Sequence, residues 1–207
     1  MNRAETNMAA LLGIIVSDMG VSHRTYGEEF YRFQLSCRRK SGYEDVINVI
    51  VSDRLLFDCP LCVGDRVSLR GQVRTYNSIE NGKSRLNVVV FAKEIWFAQE
   101  DDTQDNRIYL EGFICREPVK RTSPLGRQIC DLMVAVNRRY NKSDYIPCIA
   151  WGRNAGYGGS LEVGTKIAIE GRIQSREYNK KDEEGNVTVK TAYEVSITRI
   201  EKIDATL

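Results

Sequence analysis

Tyr31, Phe33, Leu35 and Cys37 alternate with Arg32, Gln34, Ser36 and Arg38, a period of two that buries one face of a strand and wets the other. Val67, Leu69 and Val73 repeat the pattern. The β-branched runs Val46-Ile47-Asn48-Val49-Ile50-Val51 and Leu86-Asn87-Val88-Val89-Val90-Phe91 are bounded by Asp, Gly and Asn turn residues, as strands are. With a first strand from Leu11 to Val16, about five strands fill the first half of the chain. A short helix is expected between the third and fourth, at Arg54 to Phe57.

Sliding the chain along itself by 99 positions superposes its two halves. Gly13 falls on Gly112, Phe33-Gln34-Leu35-Ser36-Cys37 on Leu132-Met133-Val134-Ala135-Val136, Arg39 on Arg138, Asp45 on Asp144, Ile47 on Ile146 and Arg54 on Arg153. After one inserted residue Gly64 meets Gly164, Gly71 meets Gly171, and Gln72-Val73-Arg74-Thr75 meets Arg172-Ile173-Gln174-Ser175. Two similar domains follow, 1–99 and 106–207, with a polar linker at 100–105. The second helix is expected around Asn154 to Gly156.

Five short strands and one helix per half suit an all-β fold of two tandem five-stranded Greek-key barrels of the OB type. Gly13 and Gly112 inside first strands, and Gly71 and Gly171 inside fourth strands, recur in register where a missing side chain lets a small barrel coil and close. Asn81-Gly82 and Glu184-Gly185 mark the tips of the hairpins between fourth and fifth strands.

Composition removes function classes rather than adding them. Of 207 residues 42% are hydrophobic and 28% charged, which fits folded domains and not a disordered polymer. No apolar run approaches the roughly 18 residues that cross a bilayer, and Met1-Asn2-Arg3-Ala4-Glu5-Thr6 lacks a signal peptide's order, so a cytoplasmic chain with no membrane partner is expected. The single histidine, His23, reads as a surface loop residue, and its solitude excludes most catalytic triads and zinc hydrolase sites. Without paired carboxylates, a nucleophile beside a base, a phosphate loop or a metal cluster, neither an enzyme nor a cofactor is expected. The six cysteines, at 37, 59, 62, 115, 130 and 148, are expected to stay reduced and mostly buried. Cys59-Pro60-Leu61-Cys62 could serve a redox centre or half a zinc site, but it lies in an all-β pattern and its counterpart Gly159-Ser160-Leu161-Glu162-Val163 has no cysteine. Packing or an incidental pair is the preferred reading.

The outer face of an OB barrel can bind unpaired nucleic acid, and in the second half that face is aromatic and basic. Tyr140 follows Asn137-Arg138-Arg139 and precedes Lys142; Tyr145 opens the third strand and Trp151-Gly152-Arg153 closes it; Arg172 and Arg176-Glu177-Tyr178 lead into a hairpin that continues to Lys180-Lys181. Rings offer stacking platforms worth about 1–3 kcal/mol per base, and Arg and Lys neutralise phosphates. A ring taken singly is more often packing and a basic run more often a solvated face, but here the two interleave on turns and strand ends.

Through Asn106-Arg107-Ile108-Tyr109-Leu110-Glu111-Gly112, Arg116-Glu117-Pro118, Ala135-Val136-Asn137-Arg138-Arg139-Tyr140, the segment from Asp144 to Ala155, and Glu170 to Arg176, the second half resembles the bacterial single-stranded DNA-binding proteins of the OB fold. The resemblance implies that Tyr140, Tyr145, Trp151 and Tyr178 stack on bases and that single-stranded DNA is the partner in replication, repair or recombination. It also implies four OB domains per assembly, hence a homodimer. The acidic, apolar-capped tip usual in the family is missing from Glu201-Lys202-Ile203-Asp204-Ala205-Thr206-Leu207, so recruitment of other proteins through it is not expected.

The first half shares this resemblance only through the repeat. Its four stacking positions hold Ser41, Val46, Ser52 and Ser78, with Tyr43 and Tyr76 each two residues from one of them. Arg38, Arg39 and Arg74 add candidate phosphate contacts. Residues 1–104 carry 13 basic and 14 acidic side chains against 17 and 14 in 105–207, a step from −1 to +3. Unequal labour is expected, with the second domain the principal DNA reader. The alternative is an accessory OB module that docks a replication or recombination protein.

Overall fold

Buried and exposed side chains alternate along β1 (Asn7–Ile15), β3 (Glu28–Arg38), β4 (Glu44–Ser52), β5 (Arg66–Glu80) and β6 (Lys83–Phe97) of a computed structural model that describes residues 5–80, 82–100, 102, 106–181, 185 and 187–203. These five strands close on themselves: β1 pairs with β3 and β5, β3 with β4, β4 with β6 in parallel, and β6 with β5. That circuit is the OB barrel. A second circuit is formed by β7 (Arg107–Ile114), β9 (Gln128–Asn137), β10 (Ser143–Trp151), β11 (Lys166–Lys181) and β12 (Val187–Lys202). The helices α1 (Asp53–Asp58) and α2 (Arg153–Gly158) sit between third and fourth barrel strands, close to where the sequence puts them.

Two expectations change. Each barrel carries an extra short strand, β2 (Gly20–Thr25) or β8 (Val119–Thr122), paired to β3 or β9. His23 therefore lies on a strand rather than in a loop, its ring stacked on Phe30 at 4.7 Å and 6°. At the hairpin tips Gly82 and Gly185 adopt φ of 73° and 88°, which favours glycine, while Asn81 and Glu184 lie outside the described residues, as do linker residues 101 and 103–105.

The paired glycines mark close approaches. A Cβ on Gly13 would meet the Ser36 carbonyl oxygen, and one on Gly112 the Ala135 carbonyl. Gly71 and Gly171 press equally on Phe91 and Ser196, at the register shifts of the fourth strands. Strands cross there too tightly for any side chain, which lets so few strands close around a core of Leu11, Phe33, Leu35, Ile47 and Leu69, and of Leu110, Ile114, Ile146, Ile167 and Ile169.

β1 and β7 then pair antiparallel, from Asn7 opposite Leu110 to Ala10 opposite Arg107, and merge both barrels into one twelve-stranded sheet. Buried Asn7 extends this frame by bonding both the N–H and the carbonyl of Val73, and Asn106 does the same for Ile173.

Candidate nucleic-acid interface

Strand register assigns side chains to faces, because partners directly opposite in a ladder point the same way. Ile149 on β10 lies opposite Ser196 on β12, and Ser196 opposite Arg172 on β11. Counting by twos, Tyr145 and Trp151 share an outer face with Arg172, Gln174, Arg176 and Tyr178. The two rings on β10 are six residues, about 20 Å, apart along the strand. All three rings are exposed on this face, and Tyr140 stands out at the β9–β10 turn, 90% exposed with φ 61°. Exposure on that scale is a poor use of aromatic surface in a core.

The cations divide into two groups. Arg139, Lys142 and Arg153 of the second domain and Arg38 of the first are exposed and make no ion pair among the described residues. Arg176 reaches Glu194 at 3.6 Å and stands 5.9 Å over the Tyr178 ring. Arg172 is half-buried, and loss of solvent followed by the nearby Arg39 lowers its pKa from the ordinary arginine value. Its Nη2 donates to Gln174 while its buried Nε finds no acceptor. Lys180 and Lys181 end β11, and their side chains lie outside the described ones.

Arg39, Arg74 and Arg138 form the other group, and here the sequence-based assignment to phosphate is corrected. Asp144, fully buried, pairs with Arg74 at 3.0 Å and Arg138 at 2.9 Å and accepts the Thr75 N–H at 2.6 Å. Thr75 Oγ1 accepts the Tyr145 N–H at 2.9 Å. The mirror arrangement joins the other ends: buried Asp45 accepts Arg39 through both oxygens at 2.6 Å and the Ser175 N–H at 3.0 Å, and Ser175 Oγ accepts the Val46 N–H at 3.0 Å. The hydrogen bonds that Arg39 donates to Asp45 raise its pKa above the ordinary arginine value. Each long hairpin thus crosses the third strand of the other barrel and is fastened by a buried carboxylate. A guanidinium drawn to DNA would leave that carboxylate uncompensated, so these three arginines belong to the domain interface.

Two aromatic candidates belong to the first domain. Tyr76 follows Thr75, whose hydroxyl accepts the Tyr145 N–H at the start of β10, and alternation along β5 turns its exposed ring to the other side of the hairpin. Tyr43 is exposed with the Arg39 guanidinium 4.4 Å over its ring. Sequence reasoning passed over Tyr157, exposed on α2 just beyond Trp151, whose hydroxyl accepts the Lys202 N–H at 3.3 Å, and Phe57, 90% exposed on α1. Their signal was present: a large ring on a short polar helix. It also missed the Arg121–Asp131 pair at 2.5 Å on β8 and β9.

Cys59 is buried, which raises its thiol pKa, while Cys62 is exposed, and among the described residues no cluster of three His, Cys, Asp or Glu could hold a metal. Among them, too, no helix is long and apolar enough to cross a membrane.

Two OB barrels fused edge to edge, one with exposed rings across its outer sheet face, define the class: a tandem OB-fold protein. Residues 105–203, the whole of the second barrel, match the Single-strand binding protein family. A single-stranded DNA-binding protein of Clostridium tetani is 36% identical over 84 residues, 37% of this chain and 58% of that protein. One from Oceanobacillus iheyensis is 31% identical over 84 residues and 52% of its length, so the match spans little more than half of these relatives. The wild-type single-stranded DNA-binding protein of Thermus aquaticus shares the fold over 97% of this chain and 94% of its own, with a TM-score of 0.74 at 20% identity.

Proposed function

We propose that the chain binds single-stranded DNA with little sequence preference and protects it in replication, repair or recombination. The observation that carries this is the shared outer face of Tyr145, Trp151 and Tyr178, flanked by the exposed cations Arg139, Lys142 and Arg153, which make no ion pair among the described residues. Bases stack on the rings, with Tyr140 at the edge, while the cations release counterions from the backbone. A duplex offers no free base face to these rings. The units are 1–99 and 106–207, the second being the principal reader, and the work is binding rather than catalysis.

Two copies bring four barrels together through the joint outer face of β1 and β7, where Met8, Ile14 and Phe113 are exposed. A solution mass of twice 23.6 kDa is expected, and a monomer would refute the dimer.

Tryptophan fluorescence of the full chain during a dT oligonucleotide titration at two salt concentrations tests the reading. Quenching that weakens at high salt is expected, and Trp151→Ala should lower affinity by about 1–3 kcal/mol with thermal stability kept. Unchanged affinity with lost stability would return Trp151 to a packing role. Absence of binding at low salt would sink the DNA reading and leave the accessory module.

A further inference from the structure

The first barrel lacks the stacking set, yet its corresponding face is not blank. Between β3, β4, β6 and the inner side of the second domain's hairpin lies a cavity of about 460 Å³, within the roughly 300–1,000 Å³ of small-molecule sites. Arg32, Gln34, Asn48, Arg85 and Asn87 line it from the first domain and Tyr193 from the second. Gln34 and Asn48 are cross-strand partners, and their side-chain amides, like the Arg32 guanidinium, make no hydrogen bond among the described residues. Arg85 is held by Glu80 at 2.9 Å, and the Asn87 amide donates to Ser78 Oγ at 2.8 Å. At the positions 99 residues on, the second domain has Met133 and Pro147, also opposite each other, so the two faces differ in kind.

We propose that this cavity is a second nucleobase site of different chemistry, which takes one unpaired base of the same strand by its polar edge. Side-chain amides present donor and acceptor together, the pattern that reads adenine in two-point contacts, and exposed base edges of single strands are read in this way. Tyr193 supplies the apolar wall, so the site is complete only while the second domain's hairpin lies across the first. Arg32, exposed at the mouth, is free to meet the adjoining phosphate. Stacking in one domain and edge recognition in the other make the chain tolerant of sequence overall but selective at one position. The inference rests on the DNA-binding reading above.

The test compares dA and dT oligonucleotides on the full chain and on Gln34→Met/Asn48→Val, with Trp151 quenching as the shared signal. Removing both amides for apolar side chains is expected to move the dA-to-dT affinity ratio about tenfold towards dT. An unchanged ratio with quenching intact overturns the inference and leaves the function standing. No quenching with either oligonucleotide on the unaltered chain overturns both. Should the double variant unfold, photo-crosslinking of the unaltered chain to a 5-iodouracil-containing dA oligonucleotide decides. A crosslink at Tyr193 is expected, and crosslinks confined to Tyr145, Trp151 and Tyr178 refute the site.

Discussion

Replacing Asp144 by Ala tests the fastening of the two barrels. The carboxylate is wholly buried, whereas the Arg74 and Arg138 side chains are 24% and 29% exposed. Its loss leaves the Thr75 N–H without its acceptor and sets two guanidinium groups against each other. Removing one partner of a buried pair costs about 3–5 kcal/mol, and stranding a buried N–H about 1–3 kcal/mol. The arginines keep a quarter of their surface in water, which screens their mutual repulsion, so the total falls near the low end, about 3 kcal/mol. At roughly 2–4 °C per kcal/mol for a chain of this size, Tm drops by about 6–12 °C. Urea unfolding should show the midpoint moving at constant slope. Asp144→Asn keeps an acceptor for Thr75 and should cost less. Adding Asp45→Ala removes the mirror lock and is expected to split one cooperative transition into two. A change under about 0.5 kcal/mol in Asp144→Ala, with Arg138→Ala flattening the salt dependence of DNA binding by about one phosphate, would refute the lock and restore Arg138 to the DNA.

Further outcomes follow from burial. Gly112→Ala places a Cβ against the Ala135 carbonyl and should cost about 1–3 kcal/mol, while Gly20→Ala, in open space, should stay within about 0.5 kcal/mol; equal Tm values would show that the first strand is not pressed. Exposed Cys62 should react first with a thiol reagent, and buried Cys37, Cys130 and Cys148 only on unfolding, which mass spectrometry of labelled peptides checks. Burial pushes the Cys37 thiol up to about 12 from 9.0, so its contribution is whole below pH 9 and is lost as pH rises towards 12, where the unfolded chain has shed a proton the folded one keeps. Cys37→Ala should therefore flatten the alkaline limb of the stability profile, and an unaltered limb would deny the thiol that part.

The barrel strands were legible because each buries one face, and the alternation of Tyr31 to Arg38 records it directly. β2 and β8 left no such trace: Val119, Lys120, Arg121 and Thr122 are all exposed, so nothing in their order separates strand from loop. The pairing of β1 with β7 was hidden for another reason, since joining two strand edges uses backbone groups that every residue carries. The cations misled because a guanidinium next to a ring reads the same whether its partner is a phosphate or a carboxylate from a distant segment. The repeat held the means to tell them apart. Arg39 precedes Asp45 by six residues and Arg138 precedes Asp144 by six, so cation and carboxylate recur as a unit, together with Thr75 and Ser175 that complete each lock. Recurrence of Arg alone decides nothing, since Arg54 and Arg153 also recur and both lie exposed on short helices. What both halves keep with its partner builds the shared frame. Tyr140, Tyr145, Trp151 and Tyr178 face Ser41, Val46, Ser52 and Ser78 across the repeat, and Met133 with Pro147 faces Gln34 with Asn48. The barrels diverge where the frame asks for nothing, on the outer faces, and there each face is free to meet a different part of a bound strand.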